Sequence, residues 1–132
     1  MDFDLNEEQR MLKESVDRLI AERYAFDQRK AHAKEPGGWS REMWGQYAEM
    51  GLLGLPFEER HGGIGGGPVE TMIVMEQFGK GLVLEPFLPT VVLGGGLIAA
   101  AGSAAQKEQL LAPMIEGKKQ FALAWLERQS RY

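Results

Sequence analysis

The sequence has no cysteine among its 132 residues. That absence excludes disulfide bonds, thiol nucleophiles and thiolate metal ligands, and it fits a reducing compartment. Histidine is scarce as well. The two histidines, His32 and His61, lie far apart in the sequence, and neither has a metal-ligating partner at helical spacing. No metal site is therefore expected. The net charge of −4 also argues against binding to nucleic acid or to an acidic membrane surface.

Long uninterrupted hydrophobic runs are missing too. The most apolar stretch, Leu82–Ala101, is broken by Pro86, by Pro89 and by three consecutive glycines, so a membrane span is not expected there. The N-terminal sequence MDFDLNEEQR is acidic and has no apolar centre, which excludes a signal peptide. Together with the absence of cysteine, these features predict a cytoplasmic protein.

The patterns that are present predict an all-α fold, a bundle of about five to six helices. A chain of this length with 44% hydrophobic and 26% charged residues is typical of one globular domain. No convincing strand pattern is found. Capping residues, apolar periodicity and stop residues predict helices from Asn6 to about Ala31, from Ser40 to Gly51, from Pro68 to Gly81, from about Leu88 to Ala101 and from Ser103 to Glu116.

Four further expectations concern these helices. The apolar face predicted for the first helix consists of Leu12, Val16, Leu19, Ile20 and Phe26. The residues that the third helix is predicted to bury are Val69, Met72, Ile73, Met75 and Phe78. The fourth has no polar face and is expected to be buried on most sides. Pro113 is expected to kink or shorten the fifth helix, because proline removes a helical hydrogen bond.

A glycine-rich loop lies between the second and third predicted helices. Five of the six residues from Gly62 to Gly67 are glycine, so the backbone can turn sharply or approach a ligand closely. A phosphate-binding loop and a plain interhelical hinge are both possible interpretations. The hinge is favoured, because Gly63, Gly65 and Pro68 miss the third glycine of the dinucleotide fingerprint and no strand precedes the loop.

Isolated side chains offer few other candidates for chemistry. Glu76 lies beside the apolar stripe of the third helix and is either an acid with a perturbed pKa or, as we favour, a carboxylate at the edge of that stripe. Trp39 and Trp44 are expected to pack at a helix start. The apolar run from Phe121 to Leu126 turns abruptly polar and is typical of an entry into a further structural unit.

The order of these elements resembles the N-terminal helical domain of the acyl-CoA dehydrogenase family of flavoenzymes. The phrases that carry the resemblance are MDFDLNEEQRML, EMGLLGLPFEERHGGIGGG, VETMIVMEQFGKG and AGSAAQKEQLLAPMIEGKKQFALAWLE, which follow one another in the family's order. Within the family, WSREMWGQYAEMGLLGLPF, GGGPVETMIVMEQFGKGLVLEP and ERQSRY are most similar to small subunits of the pimeloyl-CoA dehydrogenase type.

The resemblance implies that residues 1–120 form that helical domain and residues 121–132 begin the middle β-domain. It implies a FAD-dependent oxidation of an acyl-CoA thioester to the trans-2-enoyl-CoA, with an electron-transferring flavoprotein as acceptor and a homo- or hetero-oligomer of dehydrogenase subunits. The family's catalytic base lies in a C-terminal domain, so no catalytic residue is expected here. These 132 residues are accordingly expected to be inactive alone and to be part of a longer enzyme.

The resemblance also maps a substrate site onto the start of the fourth helix. The family's acyl-chain pocket corresponds here to Pro86, Pro89, Thr90 and Leu93. Ordinary core packing is the alternative interpretation of these four residues. A dicarboxylic acyl chain would require a basic group near the end of the pocket, and Lys80 is the candidate for it.

A cofactor segment is mapped in the same way. The family's first flavin-contacting strand reads like ALTEP, whereas the corresponding run here is AWLER. Trp125 and Leu126 take the places of the family's leucine and threonine, and Leu123 precedes them. Because Leu126 has no hydroxyl and Arg128 replaces proline, contact with FAD is expected through backbone and packing only.

The competing interpretation is a non-catalytic helical interaction module, or a non-catalytic subunit of the same fold. An exposed Leu52–Phe57 segment, or the apolar Leu88–Ala101 helix without a covering domain, would form an adhesive surface. Uncovered apolar surface of that kind predicts oligomerisation.

Overall fold

The computed structural model describes residues 4–126 and 128–129, and this part of the chain contains helices and loops but no strand. The predicted all-α class is therefore confirmed. In chain order the α-helices are α1 (Glu7–Arg23), α2 (Phe26–His32), α3 (Arg41–Glu49), α4 (Pro68–Gly81), α5 (Gly96–Ala101) and α6 (Ala104–Ile115). A π-helix, Leu88–Gly95, leads directly into α5, and two short 3₁₀ turns, Leu52–Gly54 and Glu59–His61, precede α4.

The first predicted helix is in fact two helices. It begins as expected, because Asn6 and Gln9 form a reciprocal capping box. It ends at Arg23, where Tyr24 turns into the core and its hydroxyl bonds to Glu85. The prediction that Phe26 is buried is wrong, since Phe26 opens α2 and is exposed to solvent.

The second predicted helix, α3, is confirmed with both of its ends. The Ser40 hydroxyl accepts a hydrogen bond from the Met43 backbone N–H at the start. Gly51 follows the helix in the left-handed conformation, with φ of 75°, as a stop signal requires. Met43 and Tyr47 are completely buried on the inner face of α3. The chain then enters the first 3₁₀ turn, and Leu52, Leu53, Leu55 and Phe57 are all buried, so the Leu52–Phe57 segment is not the exposed surface proposed for an interaction module.

The third predicted helix, α4, begins at Pro68 as predicted and packs against α1. Its inner face is formed by Ile73, Val74 and Phe78. The expected burial of Val69 and Met72 is wrong, because both are exposed. The apolar residues of α4 surround most of the helix, so the sequence alone does not define which side faces the neighbouring helix.

The fourth predicted helix has the expected limits but not the expected burial. Its first eight residues form the π-helix, and one side of it is open to solvent. In α6, Ser103 and Gln106 form the predicted capping box. The helix runs through Pro113 and ends at Ile115, one residue before the predicted end.

The core lies where α1, α3, α4, the π-helix and α6 meet. Aromatic rings form its centre: the Tyr47 and Phe78 ring centroids are 4.8 Å apart, and those of Phe78 and Phe87 are 5.1 Å apart. Trp44 is also buried, edge-on to the half-buried Trp39, which confirms that both tryptophans pack. Within the described residues, no helix has the length and apolar character needed to cross a bilayer.

Candidate functional site

The π-helix Leu88–Gly95 is the least ordinary backbone element of the described chain. π-Helices are rare, usually extend over a single turn and are frequently found at functional sites. This one covers eight residues, begins next to Pro89 and ends in the glycine run. Gly94 and Gly95 are both buried on its inner side, so the helix lies close against its neighbours.

The four residues mapped to the acyl pocket all lie on or just before this helix. Pro86 and Pro89 are half-buried, and the Leu93 side chain is 41% exposed. Thr90 differs from the others because it is completely buried. Its hydroxyl donates to the Phe121 carbonyl at 3.2 Å and accepts from the Phe121 backbone N–H at 3.3 Å.

The outer side of the same helix is a row of leucines. Leu88, Leu93 and Leu97 are 46%, 41% and 52% exposed and follow one another at intervals of five and four residues. These intervals fit consecutive turns of a π-helix and then an α-helix. We call these three residues the leucine row. Three neighbouring exposed leucines are typical of a surface that another protein segment or a ligand covers.

The three residues mapped to the cofactor lie beyond α6. Leu123 is half-buried, whereas Trp125 and Leu126 are 66% and 58% exposed. Phe121 packs against the core and is held by Thr90, and it is the last of the described residues with a hydrogen bond. Thr90, from the first mapped group, is thus bonded to Phe121, two residues before the second mapped group begins at Leu123. No hydrogen bond joins Trp125 or Leu126 to Pro86, Pro89 or Leu93 in the described part of the chain.

A buried carboxyl group beside the π-helix was missed by sequence analysis. Glu85 is 6% exposed and accepts hydrogen bonds from the Tyr24 hydroxyl at 2.5 Å, the Tyr47 hydroxyl at 3.1 Å and the Ser40 backbone N–H at 3.0 Å. The Tyr24 hydroxyl in turn accepts from the Leu84 backbone N–H at 3.1 Å. Glu85 is the only charged residue between Leu82 and Ala101, and a lone acid in an apolar run is the signal that could have found it.

The environment of Glu85 is polar but holds no ion pair. Within the described residues, no Lys or Arg side chain forms a salt bridge with it. Burial raises the pKa of Tyr24 well above its ordinary value, and the hydrogen bond with Glu85 adds to this rise. Burial, and then the nearby Glu85 charge, raise the pKa of Tyr47 in the same direction. Both tyrosines therefore remain un-ionised donors at neutral pH.

A shallow groove of about 330 Å³ runs past this group. Its lining is mainly apolar and includes Met75, Leu82 and Leu88 together with Glu85. Leu88 belongs to the leucine row, so the groove and the row form one continuous surface at the start of the π-helix. That surface could accommodate an apolar chain.

The glycine loop has no free set of N–H groups for a phosphate. The N–H groups of Ile64, Gly65 and Gly66 donate to carbonyls of the preceding Gly54–Phe57 segment at 2.8–3.0 Å. The α4 N-terminus is occupied as well, because Glu70 accepts the Gly67 N–H at 2.7 Å. A hydrogen bond from Gln9 lowers the pKa of Glu70, so this carboxylate stays charged there. The geometry supports the hinge interpretation.

Two of the remaining candidates from the sequence have structural partners. Glu76 is half-exposed and pairs with Lys80 at 2.9 Å, and the hydrogen bond from Lys80 lowers the Glu76 pKa. Glu76 is therefore a surface carboxylate, as favoured above. His32 bonds to Glu35 at 3.0 Å. Within the described residues, no group of three or more metal-ligating side chains occurs.

Comparison with known proteins adds the family context. The model of the family domain "Acyl-CoA dehydrogenase, N-terminal domain" matches residues 6–118. Bovine mitochondrial isovaleryl-CoA dehydrogenase is 31% identical over 125 residues, which are 93% of this chain and 29% of that protein. This chain spans about 30% of the length of the curated relatives it matches.

Two solved structures are similar in fold and sequence. The ChsE4–ChsE5 complex of Mycobacterium tuberculosis has a TM-score of 0.83 at 27% identity, with 91% of this chain and 33% of that chain covered. A structure of the electron-transferring flavoprotein of Acidaminococcus fermentans has a TM-score of 0.76 at 26% identity, with 91% and 32% covered.

Proposed function

This chain belongs to the acyl-CoA dehydrogenase family through its N-terminal helical domain, and we propose that it provides one wall of the acyl-CoA site of a FAD-dependent dehydrogenase. The observation that carries the proposal is the position of the leucine row, because an apolar, half-exposed surface on a π-helix suits an acyl chain. Pro86, Pro89 and Leu93 lie at that surface, and Thr90 lies beneath it.

The proposed reaction is oxidation of an acyl-CoA thioester to the trans-2-enoyl-CoA. A carboxylate base removes the α-proton, the β-hydrogen leaves as hydride, and hydrogen bonds to the thioester carbonyl stabilise the enolate-like charge. Bound FAD would supply the hydride acceptor. In the family's fold the base lies outside the helical N-terminal domain, so the proposed contribution of this chain is to bind the acyl group and exclude water. By itself the chain is proposed to be inactive.

The segment mapped to the flavin offers few polar side-chain groups. Trp125 and Leu126 expose apolar side chains, and Leu123 is half-buried behind them. None of these three side chains has a hydroxyl or a charge, and the Trp125 indole N–H is their one polar group, so the segment would hold the flavin mainly by packing and through backbone N–H and C=O groups. Firm binding of FAD by this chain alone is not expected.

The proposed partners follow from the same comparisons. One similar structure is a complex of two named proteins, and the other concerns an electron-transferring flavoprotein. Both support the proposal that the whole protein assembles with other dehydrogenase subunits, as a homo- or hetero-oligomer, and passes electrons to such a flavoprotein. A pimeloyl-type, dicarboxylic substrate and a cytoplasmic location remain predictions, because no described residue tests either.

The decisive experiment is purification of the native protein, with its intact mass and its absorbance between 350 and 500 nm as readouts. A mass well above 14.7 kDa with bound flavin, and reduction of that flavin by an acyl-CoA, would support the proposal. Leu93→Arg should then raise KM for the acyl-CoA about tenfold or more, whereas Met11→Arg, on the exposed surface of α1, should leave KM unchanged.

The alternative, a non-catalytic interaction module or subunit, rests on the same leucine row. A native protein of 14.7 kDa without flavin, which nevertheless binds a partner through that row, would favour this alternative. The non-catalytic subunit would be indicated if only a partner subunit binds flavin. In that case Leu93→Arg should weaken assembly of the two subunits and leave KM for the acyl-CoA unchanged.

A further inference from the structure

We infer that Thr90 is a positioning residue that fixes the segment from Phe121 onward against the π-helix. This inference rests on the proposed function above. Thr90 would fix the position of the proposed flavin-contacting segment relative to the proposed acyl-binding helix. Thr90 would then act through Phe121, without touching substrate itself.

The first argument is the way in which the Thr90 hydroxyl is used. It has one hydrogen to donate, and this goes to the Phe121 carbonyl, while a lone pair accepts the Phe121 N–H. A single side chain thus satisfies both polar groups of one residue, 31 positions away, as a neighbouring strand would. Because Thr90 is completely buried, water does not readily replace either bond.

The second argument is that the π-helix is shaped for this contact. Gly94 lies one turn beyond Thr90, and a Cβ atom at Gly94 would be 2.5 Å from the Phe121 Cβ. A Cβ at Gly96, in contrast, would meet no atom within 4 Å. The Phe121 backbone therefore lies against a helix surface on which Thr90 supplies the hydrogen bonds and Gly94 the space.

The third argument concerns what lies downstream. Phe121 is the last described residue with a hydrogen bond, so Thr90 is the nearest described polar tether for Leu123, Trp125 and Leu126. Trp125 is four residues away, which is a reach of at most about 14 Å. If Phe121 is released, those three residues lose their fixed position relative to Leu93.

The test compares Thr90→Val with Thr90→Ser. Valine keeps the shape of threonine but forms neither bond, whereas serine keeps the hydroxyl. Amide hydrogen exchange of the 132-residue chain should be at least tenfold faster at Phe121 in Thr90→Val than in Thr90→Ser. The amide of buried Val74 in α4 is the internal control, since global destabilisation would accelerate both amides.

A second pair of variants makes the same test without removing a hydrogen-bonding group. Gly94→Ala should accelerate exchange at Phe121 and change the Trp125 fluorescence, and Gly96→Ala should do neither. If Phe121 exchanges equally fast in Thr90→Val and Thr90→Ser, or if Val74 accelerates to the same extent, Thr90 has no specific tethering role and the inference is overturned.

The effect of Thr90 on FAD binding is measured separately, on the native flavin-containing protein. Thr90→Val should weaken FAD binding at least fivefold, and Thr90→Ser should restore it. Altered exchange with unchanged FAD affinity would overturn the link to the flavin segment. If the native protein contains no flavin, the proposed function fails, and the exchange experiment still decides whether Thr90 tethers Phe121.

Discussion

Glu85 receives hydrogen bonds from three places that are distant in the sequence: Tyr24 after α1, Ser40 before α3 and Tyr47 within α3. Burial of a carboxyl group is costly, and within the described residues no Lys or Arg side chain forms a salt bridge with Glu85. The three donors reduce that cost, and in doing so they fix the turn that precedes the π-helix. The position of the candidate site thus depends on Glu85, although Glu85 forms no hydrogen bond with any of the mapped residues.

Glu85→Gln should lower the free energy of unfolding by about 2 kcal/mol. An amide of the same size has only one acceptor oxygen, so either the Ser40 N–H or the tyrosine pair loses its acceptor. Urea unfolding followed by circular dichroism measures the change. Glu59→Gln is the matched control, because Glu59 is exposed and its change should stay within about 0.5 kcal/mol. Equal effects of the two substitutions would show that the Glu85 hydrogen bonds add no net stability.

At the scale of elements, the start of α4 depends on a charge. Glu70 accepts the Gly67 N–H and a hydrogen bond from the Gln9 side chain, both at 2.7 Å. These contacts lower the pKa of Glu70 in the folded state below its ordinary value of about 4.5. A carboxylate with a lowered folded-state pKa stabilises the fold above the unfolded pKa, and this contribution is lost as the pH falls through the folded pKa.

Glu70→Gln should therefore cost about 1 kcal/mol near neutral pH and progressively less as the pH falls below about 4.5. Glutamine has the same shape and can still accept the Gly67 N–H, but its NH2 group cannot accept from Gln9, so the substitution removes the charge together with that contact, as protonation of Glu70 does. Unfolding free energies of both proteins between pH 3 and 7 provide the measurement. Glu108→Gln, on the exposed face of α6, is the control and should change the unfolding free energy by no more than about 0.5 kcal/mol. A constant difference for Glu70→Gln would contradict the assigned role of its charge.

The glycine loop is a second element whose role is open to a direct test. A Cβ on Gly63 would be only 2.0 Å from the Phe57 carbonyl oxygen, which belongs to backbone and cannot rotate away. We expect Gly63→Ala to cost about 3 kcal/mol or more, because the folded-back segment must move. Gly62→Ala should cost about 1 kcal/mol, since Gly62 has open space and only an unfavourable φ of 86°. Chemical unfolding of the two variants measures which substitution lowers the free energy of unfolding more.

The elements also show which features are readable from sequence. The capping boxes, the Gly51 stop and the Pro68 start were predictable because each depends on residues within a few positions of one another. The exposure of Val69 was not predictable, since an almost uniformly apolar helix such as α4 does not define its own orientation. The Glu85 contacts were not predictable either, because they join residues 38 to 61 positions apart. Family resemblance, and not local pattern, identified the candidate residues Pro86, Pro89, Thr90 and Leu93. The hydrogen bonds between Thr90 and Phe121 could not be predicted from local pattern either.

At the scale of the whole molecule, the distribution of apolar surface is uneven. The leucine row lies at the start of the π-helix and along α5, and it is continuous with the 330 Å³ groove through Leu88. The expectation that this helix is buried on most sides was wrong for the described chain alone. In the proposed dehydrogenase the same surface would be covered by the substrate and by the rest of the protein.

The 132-residue chain produced alone should consequently self-associate through the leucine row. Replacement of Leu88, Leu93 and Leu97 by glutamine should reduce the weight-average mass measured by light scattering toward 14.7 kDa. The helical circular dichroism should be retained, because these side chains lie on the outer surface. Met11→Gln, which changes an exposed apolar residue on α1, should leave association unchanged and serves as the control. A wild-type chain that stays monomeric at high concentration would mean that these leucines are too dispersed to hold two copies together, and the row would then need a ligand or a larger partner to cover it.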